Sequence, residues 1–193
     1  MTLILLARHG ETDWNREQRF QGHADPPLNE LGRAQARELA ERLAPESLAA
    51  VYASPLRRAF ETAEIVAGHR GLAVRSDEGL SEVDLGSWSG LTRLEVEARF
   101  PDGYRRWLEY GLGWTDGESY DELGERVIAA LAGIARAHDD VAALAVTHGG
   151  PIRSAVARAH GLSFAEARRA LAIVENCGVV RLAIDGDRFE LVD

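Results

Sequence analysis

Short, wholly apolar runs alternate along this chain with longer amphipathic stretches. Leu3 to Ala7 is apolar at every position, as in a strand buried on both faces. Leu48 to Ala53 and Val141 to Val146 read as two further buried strands, and Leu72 to Arg75 as a short one. Asn29 is placed to cap a helix running to about Leu43, with Leu31, Leu39 and Leu43 on one face and Pro45 beyond its end. Ser54-Pro55 has the form of an N-cap followed by an N1 proline, and Gly68 ends the helix it opens. Ser119-Tyr120-Asp121-Glu122 is a capping box before a long amphipathic helix carrying Leu123, Val127, Leu131 and Ile134. Thr147 to Pro151 turns the Val141–Val146 strand into a helix ending near Gly161. Ser163 caps another helix, and Asp185-Gly186 between alternating runs signals a terminal hairpin. Strands alternating with helices predict a three-layer α/β/α sandwich with a mainly parallel sheet. Residues 76–118 interrupt this rhythm. They are rich in Gly, Trp and Tyr, with helical patches near 91–99 and 102–109, and read as a small cap insertion.

Length adds one constraint: 193 residues suit a single domain, 1–193, carrying that insertion. No apolar run approaches the roughly 20 residues of a membrane span, and the short apolar start meets Arg8 at once, unlike a secretory signal. A lone cysteine, Cys177, leaves no intramolecular disulfide, so the expectation is a cytoplasmic protein. The net charge of -9 argues against nucleic acid or an anionic membrane as partner, and leaves a homodimer open. All 22 basic residues are arginine. Without lysine there is no Schiff base and no Walker-type phosphate lysine, so an anion site here must use arginine, histidine, backbone amides or a metal.

Two histidines follow predicted strands directly: His9 in Arg8-His9-Gly10-Glu11-Thr12 and His148 in Thr147-His148-Gly149-Gly150. Both therefore lie at the carboxyl edge of the sheet, where ligands bind in such folds. One histidine there is most simply a packed, hydrogen-bonded side chain. Two, each followed by a glycine that lets backbone approach a ligand, shift the balance. The helix opening at Gly149 presents free N–H groups to an anion. Arg57 and Arg58 stand at a third strand–helix junction, and since neighbours on a helix point in different directions, at most one reaches the site.

These motifs, in this order, resemble the histidine phosphatase superfamily, in the branch that holds cofactor-dependent phosphoglycerate mutases and small-metabolite phosphatases. Arg8-His9-Gly10-Glu11-Thr12 with Asn15, then Gln21-Gly22, Pro27-Leu28-Asn29 through Gly32, Ser54 to Ala59, Leu80 to Gly90 and Thr147 to Gly150 span nearly the whole chain. The resemblance implies a phosphoglycerate mutase-like fold. It implies roles as well: His9 as phosphoryl acceptor; Arg8, Arg58 and His148 holding phosphoryl oxygens; Glu82 as proton donor; Asn15 and the Gly149 amide as further phosphate contacts. Arg58 matches rather than Arg57 because the family arginine directly precedes alanine, here Ala59. Glu82 is selected by the resemblance alone, for Asp77, Glu78 and Asp84 lie in the same stretch. No metal and no cofactor are implied.

Between the activities of the branch, a phosphatase acting on a small phosphorylated metabolite is favoured. Where mutases typically have a tyrosine three residues after the acidic residue this chain has Leu85, and at their lysine it has Arg93. A cofactor-dependent phosphoglycerate mutase is the alternative, and a non-catalytic phosphate-binding module the third. The aromatics Trp88, Phe100, Tyr104, Trp107, Tyr110 and Trp114 are expected to form a mini-core for the insertion, with one or two lining a substrate pocket. His23, His69, His138 and His160 are expected in loops or on the surface, and Cys177 as a small buried apolar residue.

Overall fold

A computed structural model describes residues 1–111, 113–138 and 140–192. Its six-stranded sheet has the order β3-β2-β4-β1-β5-β6, with β1 at Thr2–Arg8, β2 at Leu48–Ala53, β3 at Val74–Ser76, β4 at Ala142–Thr147, β5 at Val179–Asp185 and β6 at Arg188–Leu191. β3, β2, β4 and β1 are mutually parallel, while β5 and β6 join antiparallel through the predicted hairpin. Successive side chains of β1 point to opposite faces. Leu5 and Ala7 pack with α2 (Glu30–Leu43) and α3 (Arg57–Gly68). Ile4 and Leu6 pack with α6 (Tyr120–Ala137) and α7 (Gly149–His160). The sheet is thus covered on both faces, the predicted sandwich with a mainly parallel sheet. No helix among the described residues is long and apolar enough to cross a membrane.

Local chemistry sets the element ends. Asn29 caps α2 by accepting the Gly32 N–H at 2.8 Å, and Ser119 and Ser163 close capping boxes on α6 and on α8 (Phe164–Ala170). Two details depart from the pattern. Leu31 does not share the buried face of Leu39 and Leu43 but is 53% exposed. Eight residues on from Leu31 the helix has turned through two full turns and about 80° more, so Leu31 lies past the edge of the stripe. Ser54 does not cap α3 either. The helix begins at Arg57 with Leu56 at its N-cap position; the Ser54 hydroxyl accepts the Leu56 N–H at 3.2 Å in the turn before it and also meets the His148 ring at 2.8 Å.

Between β3 and α6 the insertion folds into two single 3-10 turns, Glu78–Leu80 and Gly86–Trp88, and two helices, α4 (Arg93–Arg99) and α5 (Pro101–Tyr110). Trp88 is its hub. It is fully buried, with the rings of Phe20, Phe100, Trp107 and Trp114 centred 5.2–6.4 Å away, mostly edge to face. Tyr110, expected in this mini-core, stays outside it, 62% exposed at the end of α5. A buried aromatic cut back to alanine typically costs about 3–5 kcal/mol. Trp88→Ala is accordingly expected to lower the unfolding free energy by an amount in that range. Urea unfolding measures it, and a loss below about 1 kcal/mol would show that the insertion is not held by this cluster.

Candidate active site

The parallel pairing of β1 with β4 builds the site. Its register sets Arg8 against Thr147, so the next residues, His9 and His148, leave the sheet side by side. The His9 N–H donates to the Thr147 carbonyl at 2.9 Å, and the two rings lie 5.1 Å apart between centroids. β2 pairs on the other side of β4 with Ala53 against Val146, bringing Ser54 to the same level. Backbones cross closely here. A Cβ on Gly10 would stand 2.4 Å from the Gly32 carbonyl oxygen, so only glycine lets α2 begin against the His9 loop.

His9 and His148 are both buried. His9 Nδ1 lies 2.7 Å from the Gly10 carbonyl oxygen, which can only accept. Nδ1 therefore carries the ring proton, and Nε2 is left with its lone pair. Burial holds the His9 pKa well below its ordinary value, and the Arg58 and Arg8 cations lower it further. His148 is shifted the same way, by burial first and Arg58 next. Its Nε2 meets the Ser54 hydroxyl, while Nδ1 is buried without a partner among the described residues.

A cavity of about 320 Å³ opens over these strand ends. Of the residues singled out by the motifs, Arg8, His9, Asn15, Arg58, Glu82 and Gly149 line it. His148 is fully buried, with its ring against that of His9. Arg58 is completely buried and donates to the Ala24 and Gly22 carbonyls at 2.8 and 2.9 Å, whereas Arg57 is exposed. Burial pushes the Arg58 pKa down to about 10, against the pull of Glu82 and Asp25, so the group remains a cation at neutral pH. Arg8 donates to the Val174 carbonyl at 2.8 Å. The Nε atoms of Arg8 and Arg58 are buried without partners among the described residues. The Asn15 carboxamide oxygen is held by the Thr12 N–H and hydroxyl, both at 3.1 Å.

Glu82 is the one carboxylate among the described lining residues. It accepts the Val83 N–H at 3.0 Å and the Gly150 N–H, in the first turn of α7, at 3.2 Å. A Cβ on Gly150 would stand 2.3 Å from that carboxylate, so the second glycine after His148 makes room for Glu82. Of the rival acids, Glu78 is exposed to solvent and the others are otherwise engaged. Asp77 accepts the Gly79 N–H, Asp84 accepts the Gly86 N–H, and Glu118 pairs with Arg126 at 2.6 Å. Arg126 in turn donates to the carbonyls of Gly79, Ser81 and Glu82, fixing the backbone that carries the Glu82 side chain. His23 also meets the Glu82 carbonyl, at 2.7 Å, from an exposed loop.

Sequence reading missed Arg126, and it missed Arg153 and Arg168, which line the outer cavity with Trp107, Tyr120 and Phe164. Arg153 was within reach of the pattern. Four residues after Gly149, it shares the helix face of the Gly149 amide. Nothing local marks Arg126 or Arg168. His138, expected in a loop or at the surface, follows α6 half-buried, with its Nε2 3.0 Å from the Tyr52 hydroxyl. Cys177 is buried as expected, at a left-handed φ of 57°.

The two buried histidines carry a stability signature. In the folded protein both stay neutral at pH values where the unfolded chain, titrating near pH 6.5, has taken up protons. The unfolded state then binds more protons, so stability falls as pH drops below about 6.5, by up to about 1.4 kcal/mol per pH unit for each ring. Above that pH both states are neutral and the term vanishes. His9→Asn is expected to make the fall in unfolding free energy between pH 7.5 and 5.5 shallower. An unchanged slope would show that the His9 pKa is not depressed.

The Histidine phosphatase superfamily (branch 1) model matches residues 4–193. Phosphoglycerate mutase-like protein 4 of Arabidopsis thaliana is 40% identical over 196 residues, covering 97% of this chain and 82% of that protein. Phosphoserine phosphatase 1 of Hydrogenobacter thermophilus is 36% identical over 156 residues, covering 80% and 74%. The solved structure of YhfR from Bacillus stearothermophilus superposes with a TM-score of 0.92 at 34% identity, over 99% of this chain and 95% of that one. With a family match over nearly its whole length, and with both motif histidines at the carboxyl edge of the sheet, the chain belongs to the histidine phosphatase superfamily, branch 1.

Proposed function

We propose that this chain, acting as one domain over residues 1–193 with segment 76–118 as its cap, is a phosphatase that hydrolyses phosphomonoesters of small metabolites. The observation that carries this reading is the His9 ring. The Gly10 carbonyl orients it, burial and two arginines keep it neutral, and it lies in a cavity where Arg8, Arg58 and Glu82 converge. The phosphatase relative from Hydrogenobacter thermophilus supports it.

The His9 Nε2 lone pair attacks phosphorus and the ester P–O bond breaks. Arg8, Arg58 and the orphaned His148 Nδ1, with Asn15 and the Gly149 amide, steady the charge spread over the phosphoryl oxygens. The Glu82 carboxyl gives its proton to the departing alkoxide. The carboxylate then takes a proton from water as that water attacks the phosphohistidine. The P–N bond breaks, and inorganic phosphate leaves.

Mixing with a labelled phosphomonoester and quenching without acid is expected to leave phosphate on His9, stable to base and labile to acid. His9→Ala should remove both label and turnover. Label without released phosphate, discharged instead by a phosphoglycerate, would assign the chain to the mutases; the Arabidopsis thaliana relative makes that the outcome to measure alongside. Binding of phosphate with neither label nor turnover would leave a phosphate-binding module.

Glu82 is tested by leaving group. An alkyl phosphate expels a strongly basic alkoxide, a nitrophenyl phosphate a stabilised phenolate. Pre-steady-state phosphorylation of Glu82→Gln should slow by about 10²–10⁴-fold with the alkyl ester, the usual worth of general acid catalysis, and much less with the nitrophenyl ester. Equal slowing would make Glu82 a binding residue.

A further inference from the structure

The cavity is far more positive than a phosphoryl group alone explains. Six arginines and one carboxylate are among the described residues that line it, in a protein of net charge -9. Arg8 and Arg58 lie beside His9, and Arg19 is paired with Glu17 and Glu95. Arg93, Arg153 and Arg168 remain, and none has a carboxylate within ion-pair distance among the described residues; Arg93 lies against the Trp107 ring, 5.9 Å from its centroid. Arg168 donates to the Trp107 carbonyl at 2.7 Å and lies over the Trp107 ring, 4.4 Å from its centroid. Arg153 has its Nε buried without a partner and its guanidinium 5.9 Å from the centre of the Phe164 ring. Phe164 itself stacks on Tyr120 at 3.7 Å.

A partly buried cation with no counter-ion is costly, and its like-charged neighbour raises the cost. Burial and Arg168 both lower the Arg153 pKa, with Tyr120 and the single carboxylate Glu82 opposing. Arg153 also has a defined position relative to the phosphoryl site. It stands four residues along α7 from Gly149, one helical turn or about 6 Å of rise, and both residues line the cavity.

We propose that Arg153, with Arg168 beside it, holds a second oxyanion of the substrate, a carboxylate or a second phosphate, in the same cavity as the phosphoryl site and one turn of α7 from the Gly149 amide. This rests on the phosphatase reading only for the first group, the phosphomonoester. The substrate class is then a small dianionic ester bearing a further negative charge, its linker lying along the wall of Trp107, Tyr120 and Phe164.

The test uses matched esters: ethyl, propyl and butyl phosphate against the same chains ending in a carboxylate, and 1,3-propanediol bisphosphate. For the wild type, kcat/KM is expected to favour at least one doubly charged ester over its alkyl partner by tenfold or more. Which of carboxylate and bisphosphate is preferred identifies the oxyanion. Arg153→Gln should lower that ratio by about 10–100-fold, the worth of one charge-assisted hydrogen-bonded pair, chiefly through KM. Arg168→Gln should lower it less, Arg153→Lys should restore part of it, and Arg57→Gln at an exposed position should leave it unchanged. Because the readout is a ratio, partial unfolding of a variant cancels. A ratio near one in the wild type, or one that Arg153→Gln does not change, overturns the proposal. The same esters titrated calorimetrically into His9→Ala separate the two readings. Tighter binding of the charged esters that depends on Arg153, without turnover of any ester by the wild type, sinks the phosphatase and keeps the subsite. Turnover without discrimination does the reverse.

Discussion

The site depends on the parallel pairing of β1 and β4, flanked on one side by β2. Parallel strands bring their carboxyl ends to one edge, and hydrogen bonding sets the stagger between them. With Arg8 opposite Thr147 and Ala53 opposite Val146, residues distant in sequence arrive at one level: His9, His148 and Ser54. A slip of one residue in β1 would also exchange Leu5 and Ala7 with Ile4 and Leu6 between the two faces, and both helical layers would lose their partners. The packing that stabilises the sandwich therefore also specifies the distance between the two histidines.

On that frame the electrostatics work by burial. His9 and His148 lie among arginines and out of water, so the proton is the costly state and the free base the stable one. The Gly10 carbonyl selects which nitrogen keeps its lone pair. The guanidinium groups are held by backbone carbonyls of Gly22, Ala24 and Val174 rather than by carboxylates. A carboxylate pair would neutralise them, whereas carbonyls fix their position and leave their charge to act on a ligand. In a chain of net charge -9, Glu82 is the one carboxylate among the described lining residues.

Much of the fold was legible because its causes are local. The apolar runs of β1, β2 and β4, the caps at Asn29, Ser119 and Ser163 and the turn at Asp185-Gly186 each depend on neighbours in sequence. Reading failed where a tertiary partner claimed the residue. Ser54 has the form of a helix cap, yet α3 starts only at Arg57, and the Ser54 hydroxyl joins the local Leu56 N–H to the His148 ring, 94 residues away. Leu31 fits an apolar stripe by type but not by angle, and Tyr110 shares the composition of the Trp88 cluster without sharing its place.

The same division runs through the site. By itself the sequence determined that two histidines follow buried strands, that glycines follow them, and that any anion must be met by arginine, since no lysine is present. Those are statements about local pattern and composition. Only the tertiary structure decided that Arg58 turns inward and Arg57 outward, and that Glu82 faces the cavity while Asp77 and Asp84 bind nearby amides. Only it brought Arg153 and Arg168 to the mouth without counter-ions. These outcomes turn on which carbonyl, amide or ring lies within hydrogen-bond reach, and such distances exist only once the sheet register has folded remote segments together.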